Sequence, residues 1–573
     1  MPSRIQVIFN LLMFFGLAGT LQAEDSQNQI SFEWLKQTIA PTSPVNTSAF
    51  VRPPQAKPAD SSFSGQLELS TGKTPTYFKL LKDSFKTTKS QSARIAELPR
   101  IAFNFVQTGD NIVPEIRSLI TGDHPYWEWL VGPGKIWVYA ADPGFYRIAL
   151  PLSLQEKNAN CTHNGYLLIL LQKNGGSGPG LLQITAETCG YLQFDMVAKM
   201  DVAFTPKAIA RQDELINEFK LERQNRLPSF TINELTKDYP QLDINTLLGT
   251  KQRQAITSGL VINGKHYRLH CGGRYGPEPY CDELALPSYS TAKSIFAGIA
   301  LMRMEAKYPG VGNIAVTRVI PECADTLWRG VSLNHLLNMR SGNYRSRKAE
   351  ADEASERMVD FFVATSHAEK LELACNMFPR KTKPGKHFVY HTSDTYLAGV
   401  MLNRLYQRFE GKTDIYTDWF AADLWKDLGL SPLLATTKRT YDKVKQPLTG
   451  VGLTYNIDDI IKISQFLFSQ LETSTPILDR KLLANALQRD PVSLNFVGDS
   501  PELAYNSGFW ALEVSKSLGC KNPRWIPFMS GYGGITIALI SPELMYYNYA
   551  DDYQYRWLAV VKELGRQFDL CEE

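Results

Sequence analysis

Residues 288–304 read Ser-Tyr-Ser-Thr-Ala-Lys-Ser-Ile-Phe-Ala-Gly-Ile-Ala-Leu-Met-Arg-Met, a Ser-x-x-Lys pair opening an apolar helix. Three residues of helical spacing put Ser290 and Lys293 on one face, with the hydroxyl near the positive end of the helix dipole. A serine hydroxyl is a poor nucleophile until a neighbour lowers the cost of losing its proton. A lysine one turn on, partly desolvated against Ile295 and Phe296, is such a neighbour. The same spacing recurs at Ser70-Thr71-Gly72-Lys73, where the Thr-Gly step reads as a turn, so only the surrounding chain distinguishes the two.

Residues 1–23 carry one charge, Arg4, then an apolar run from Val7 to Ala18 and a small residue, Ala23, at the end. This is the pattern of a cleaved secretory signal. The run is broken by Asn10 and is shorter than the roughly 20 residues a membrane span needs. A secreted or periplasmic protein without a stable membrane span is expected. All 8 cysteines lie beyond the signal, and an oxidising compartment makes disulfides their expected state. Pairing of chain neighbours is the simplest of many connectivities. None has Cys-x-x-Cys spacing, so neither metal nor cofactor is expected. Leaving out Arg4 lowers the net charge from +3 to +2, and no basic tract stands out, which argues against a nucleic-acid partner.

The remaining chain, roughly 550 residues, is too long for one core. Residues 24–65 read as a linker-like N-terminal segment, Pro/Ser-rich from 42 onward. Residues 66–205 hold short strand-like runs separated by turn clusters such as Asn174-Gly175-Gly176-Ser177-Gly178-Pro179, and read as a mostly β accessory domain, with a sandwich as its simplest form. Cys161 and Cys189 flank one of its hairpins. Its aromatic run, Tyr126-Trp127-Glu128-Trp129 with Trp137 and Tyr139, has the composition of a sugar-stacking platform, but strand alternation predicts buried aromatics anyway. Residues 206–245 form a charged helical connection. From 246 to 573 the pattern changes. An Asn263-Gly264 hairpin is followed by a helix-rich stretch to about 470, then by closing strands and a final helix with Trp557, Leu558, Val561 and Leu564 on one face. One sheet built from both ends of this region, with an inserted helical lobe, makes an α+β fold.

The landmarks in that region recur in a particular order. After the hairpin and Ser290-Thr291-Ala292-Lys293 comes the segment Val331 to Gly342, containing His335-Leu336-Leu337 and Ser341-Gly342. Tyr390-His391-Thr392-Ser393-Asp394-Thr395 follows, and Met529-Ser530-Gly531-Tyr532-Gly533-Gly534 precedes a closing strand. In this order they resemble the serine β-lactamase and penicillin-binding-protein superfamily, in particular class C β-lactamases and related esterases and amidases. The resemblance covers most of the last 320 residues or so and none of the first 200. It implies a β-lactamase/transpeptidase-like domain, an antiparallel sheet flanked by helices, in which Ser290 attacks a carbonyl. Lys293 and Tyr390 then share its proton, and the N–H groups of Ser290 and Tyr532 form the oxyanion hole. Thr392, Ser530 and Gly531 line the substrate, and His335 is a packed or capping residue.

Two positions depart from the family pattern. Where the closing strand of β-lactamases and D-alanyl carboxypeptidases carries a cation for the substrate's carboxylate, this chain has Met529, with Lys521 and Arg524 the nearest cations in sequence. The asparagine of Tyr-x-Asn is replaced by Thr392, a hydroxyl with one donor. Tyr-x-Thr-x-Asp-Thr looks like the subgroup of amide and ester hydrolases akin to the 6-aminohexanoate-dimer hydrolase. The expected activity is therefore an exported serine hydrolase cleaving a small-molecule or cell-wall-derived ester or amide. A β-lactamase or D-alanyl-D-alanine carboxypeptidase, or a catalytically idle binding protein of the same fold, are the alternatives.

Overall fold

The computed structural model describes residues 30–59, 62–71, 77–86, 97–173, 175–249, 255–323, 325–489 and 495–571. The signal-like segment and Lys73 lie outside the described residues, and Ser70 sits in a strand. Eight strands follow one another as β1 (Ser64–Thr71), β2 (Ile101–Thr108), β3 (Asn111–Pro114), β4 (Gly134–Val138), β5 (Phe145–Glu156), β6 (Thr162–Gln172), β7 (Gly176–Thr188) and β8 (Phe194–Pro206). Each pairs antiparallel with the next, and β8 returns to β1. The result is a closed up-and-down barrel rather than a sandwich.

Closure comes from the long β5, whose first half pairs with β4 (Lys135 opposite Ala149) while its second half takes Trp127–Val131 as an extra strand. Along the stretch where β4 meets β5, closure pairs main-chain groups that an open sheet would leave at an edge. Alternate residues point inward, for example Tyr146, Ile148, Leu150, Leu152 and Leu154 on β5 and Leu167, Ile169 and Leu171 on β6. They fill the interior, as eight strands allow. Trp127, Trp129 and Trp137 are buried, and the Trp129 indole donates to the Pro99 carbonyl at 3.0 Å. The aromatic run is packing rather than a platform.

A helix, α1 (Gln212–Gln224), lays Leu215 and Phe219 on Val106 and Val113 of the barrel. The chain then builds a second, mainly antiparallel sheet from β9 (Ser229–Phe230), β10 (Ala255–Ile262), β11 (Lys265–Gly273), β12 (Phe496–Val497), β13 (Ser500–Asn506), β14 (Phe509–Glu513), β15 (Trp525–Gly531), β16 (Ile535–Ser541) and β17 (Leu544–Ala550). The order β9-β11-β10-β17-β16-β15-β14-β13-β12 joins both ends of the region, and only β9 runs parallel to its neighbour. Between β11 and β12 lies the helical lobe, including α2 (Ile299–Lys307), α3 (Leu333–Leu337), α4 (Thr392–Glu410) and α5 (Ile457–Glu472). The closing helix α6 (Trp557–Leu564) covers the other face with Trp557, Val560, Val561 and Leu564. The fold is α+β.

The cysteines pair in chain order, Cys161–Cys189, Cys271–Cys281, Cys323–Cys375 and Cys520–Cys571. Among the described residues no helix is long and apolar enough to cross a membrane. The barrel and the chain between β11 and β12 meet through polar groups. Lys438 donates to the Glu128 carboxylate at 2.8 Å, both side chains fully enclosed, and Arg274 pairs with Glu187 and Asp195 of the barrel.

Candidate active site

Ser290 lies in the turn that leads into the helix of Lys293, partly exposed while the residues around it are buried. Residues Lys293–Gly298 wind as a π-helix before the chain tightens into α2, a wider turn than the α-helix expected from the spacing. A neighbouring turn meets the chain here. The Ser507-Gly508 turn between β13 and β14 presses on this segment, with Ser294 Oγ donating to the Gly508 carbonyl at 2.6 Å. A Cβ at Gly508, φ +92°, would lie 2.3 Å from the Lys293 carbonyl oxygen. Wide turns of this kind concentrate at functional sites.

The Lys293 side chain is 1% exposed, and all three donors of its ammonium are used. They reach Ser290 Oγ at 2.9 Å, Thr392 Oγ1 at 2.9 Å and the Gly450 carbonyl at 3.1 Å. Burial penalises the charged form and brings the Lys293 pKa down to about 8, against an opposing pull from Glu353. Tyr390 packs beside them, its ring 4.9 Å from Lys293 Nζ and stacked on Trp510. Burial drives its phenol far up, the charges of Tyr505 and Glu353 add to this, and a hydrogen bond with the Ser290 hydroxyl works against it. Ser290, Lys293, Thr392 and Tyr390 are thus brought together from two parts of the chain.

Glu353 completes the cluster, and the motifs did not point to it. Its carboxylate accepts from the Thr392 N–H at 2.8 Å and from the Thr392 hydroxyl. The first contact caps the N-terminus of α4, where a negative charge is favoured. The second commits the single Thr392 proton to Glu353, so the Thr392 oxygen can only accept from Lys293. Glu353 ends a loop fastened to its neighbour. Asp352 accepts from the N–H groups of Arg345 and Ser346 and from His391 Nε2 at 3.2 Å. His391 is fully buried and stacked on Phe378. Burial opposes its charged form, but the hydrogen bond to Asp352 and the Asp394 carboxylate 3.8 Å from its Nδ1 outweigh that and hold its pKa up at about 9.

The closing strand β15 brings Gly531 and Tyr532 alongside the Ser288–Ser290 turn. A Cβ at Gly531 would lie 3.0 Å from the Ser288 carbonyl oxygen, so a larger residue would crowd this approach. Tyr532 packs 5.9 Å from the Tyr289 ring, and the partly exposed Ser530 lies next to the Tyr555 phenol. Met529 is fully buried in the core of the helical lobe. Arg524, at the other end of the seven-residue strand, donates to the Ile540 carbonyl, and Lys521 is exposed in the preceding loop. His335 is a cap, its Nδ1 accepting from the Ser332 N–H at 3.1 Å. A rim of exposed tyrosines surrounds Tyr532. Tyr191 of the barrel lies 6.1 Å from it, and Tyr553 lies 5.2 Å from it with the two phenols hydrogen-bonded.

No known protein family and no curated protein matches this sequence. Among solved structures, the chain is similar to a putative 6-aminohexanoate-dimer hydrolase from Bacillus anthracis, at 14% identity over 61% of this chain and 89% of that one, TM-score 0.42. It is also similar to a penicillin-binding protein homolog from Caulobacter crescentus, at 13% identity over 57% and 95%, TM-score 0.40. A third similar structure is the D-alanine carboxypeptidase AmpC from Burkholderia cenocepacia, at 14% identity over 62% and 99%, TM-score 0.39. These structures come from the superfamily that the motif order resembles.

Proposed function

We propose that this chain is an exported serine hydrolase that cleaves an ester or amide through an acyl-enzyme on Ser290. The observation that carries this reading is the buried Lys293 ammonium held 2.9 Å from a partly exposed serine hydroxyl. Near neutrality Lys293 is the group of this cluster that gives up a proton most readily, since its pKa is brought down to about 8 while that of Tyr390 is driven up. Neutral Lys293 therefore accepts the Ser290 proton as Oγ attacks the carbonyl carbon. Tyr390 passes its proton to the leaving group as the bond to the carbonyl breaks, and takes the proton held on Lys293 in return. Water then attacks the acyl-enzyme, giving a proton to the again neutral Lys293, which returns it to Ser290 Oγ as the acyl bond breaks. The Ser290 and Tyr532 N–H groups receive the oxyanion. Four disulfides favour an oxidising compartment.

Substrate preference follows from two features. A buried Met529 presents no cation to a substrate carboxylate at that position of the strand, which favours a less anionic substrate than a β-lactam or a D-alanyl peptide. The tyrosine rim offers flat faces to an aromatic or ring-shaped leaving group. The test is hydrolysis of short-chain p-nitrophenyl esters followed by mass analysis of acid-quenched protein. The acyl group is expected on the peptide containing Ser290, and turnover with the acyl group elsewhere would reject the reading.

The reaction's pH dependence is a second consequence. The active form carries neutral Lys293, so kcat/KM rises with pH and levels off above about 8. The Glu353 carboxylate raises that pKa, so Glu353→Gln is expected to move the midpoint to lower pH while keeping an acceptor for the Thr392 N–H. A midpoint that stays or moves up would show that Glu353 does not act on Lys293.

A further inference from the structure

A buried side chain of the barrel reaches the nucleophile turn. Asn160, in the turn between β5 and β6, is 1% exposed. Its Oδ1 accepts from Ser288 Oγ at 3.0 Å, from the Tyr289 N–H at 3.0 Å and from the Gly452 N–H at 2.8 Å. Its Nδ2 donates to the Leu453 carbonyl at 3.3 Å. The two strands of chain it joins are already linked to each other, Ser288 Oγ accepting from the Leu453 N–H at 3.1 Å.

Both segments lead directly to the reacting groups. Tyr289, immediately before Ser290, has φ +41°, a left-handed conformation that is costly for a bulky residue and persists only where its surroundings impose it. Its N–H ends on Asn160. Gly452 lies two residues beyond Gly450, whose carbonyl is the third acceptor of Lys293. One amide therefore ties the backbone that aims Ser290 to the backbone that holds Lys293. The amide is itself anchored. The Asn160 carbonyl accepts from Thr162 Oγ1 at 2.9 Å, and the next residue is cross-linked by Cys161–Cys189 to the turn between β7 and β8.

We infer that Asn160 is a positioning residue, and that the barrel is part of the catalytic apparatus because it alone supplies this side chain. The inference rests on the serine-hydrolase reading, and its test separates the two. The experiment measures how fast a fluorophosphonate probe phosphonylates Ser290, together with kcat and KM on a p-nitrophenyl ester and the thermal unfolding midpoint.

Asn160→Ala is expected to slow labelling on the order of a hundredfold, the scale of a small misplacement of reacting groups, with the loss in kcat rather than KM. Asn158→Ala, two residues away, removes bonds to the Phe362 and Ala364 carbonyls of the same interface and is expected to label at the native rate. Asn160→Asp keeps an acceptor for Ser288, Tyr289 and Gly452, and is expected to label within about tenfold of the native rate, so it decides the matter if the alanine variant does not fold. Equal labelling of the native protein and Asn160→Ala, equal slowing by Asn158→Ala, or an Asn160→Asp rate on the order of a hundredfold below native overturns the inference and leaves the hydrolase reading standing. A native protein that is never labelled overturns both.

Discussion

Alanine at Ser290 and methionine at Lys293 are each expected to lower ester turnover by on the order of 10⁴-fold or more, and the double variant no further. The non-additivity is the informative part. If Lys293 acts only by accepting the Ser290 proton at 2.9 Å, it has nothing left to contribute once the hydroxyl is gone. Methionine is the better probe at 293 because it fills a similar volume without a charge. Thr392 Oγ1 and the Gly450 carbonyl each lose a donor, which costs about 1–3 kcal/mol of stability apiece. The measurement is kcat/KM for the two single variants and the double. A Ser290→Ala protein keeping more than about a tenth of native turnover would sink the mechanism. A double variant much slower than either single one would mean that Lys293 serves another step.

Lys438→Met is expected to destabilise the protein by about 3–5 kcal/mol, the cost of leaving a buried carboxylate without its partner. Glu128 of the barrel sits wholly inside the interface, 2.8 Å from Lys438 Nζ, and Lys438 also donates to the Lys157 carbonyl at 3.1 Å. With the lysine gone, Glu128 must either take up a proton or draw water into the contact. Replacing both residues, Lys438→Met with Glu128→Leu, should recover most of the loss, because an apolar pair of similar volume pays no desolvation of charge. Denaturant midpoints of the three variants test this. A single-variant loss below about 1 kcal/mol would mean that the interface is open to water and the ion pair is screened.

What the sequence carried was local. Ser290 and Lys293 are three residues apart, so helical spacing alone placed them together, and the Asn263-Gly264 turn marks backbone geometry that few residues accept. The inward alternation of β5 and β6 was equally legible as strand, because period two is a property of the chain itself. Period two does not say which edge meets which, however. Whether eight strands form a sandwich or a ring depends on β4 pairing with β5 and β8 with β1, contacts set by register and twist between distant segments.

The same limit applied at the site. Glu353 and Asn160 are ordinary polar residues in unremarkable loops, separated from Thr392 by 39 residues and from Tyr289 by 129. Nothing in their neighbours announces them. The resemblance of the last 320 or so residues has no counterpart in the first 200, where Asn160 lies. The sequence by itself determined which groups could react. Tertiary structure decided which of them are desolvated and which are paired, because burial and hydrogen bonding depend on what the rest of the chain folds against each side chain. That is why Lys293 loses its proton more easily than Tyr390 although both are enclosed in the same wall.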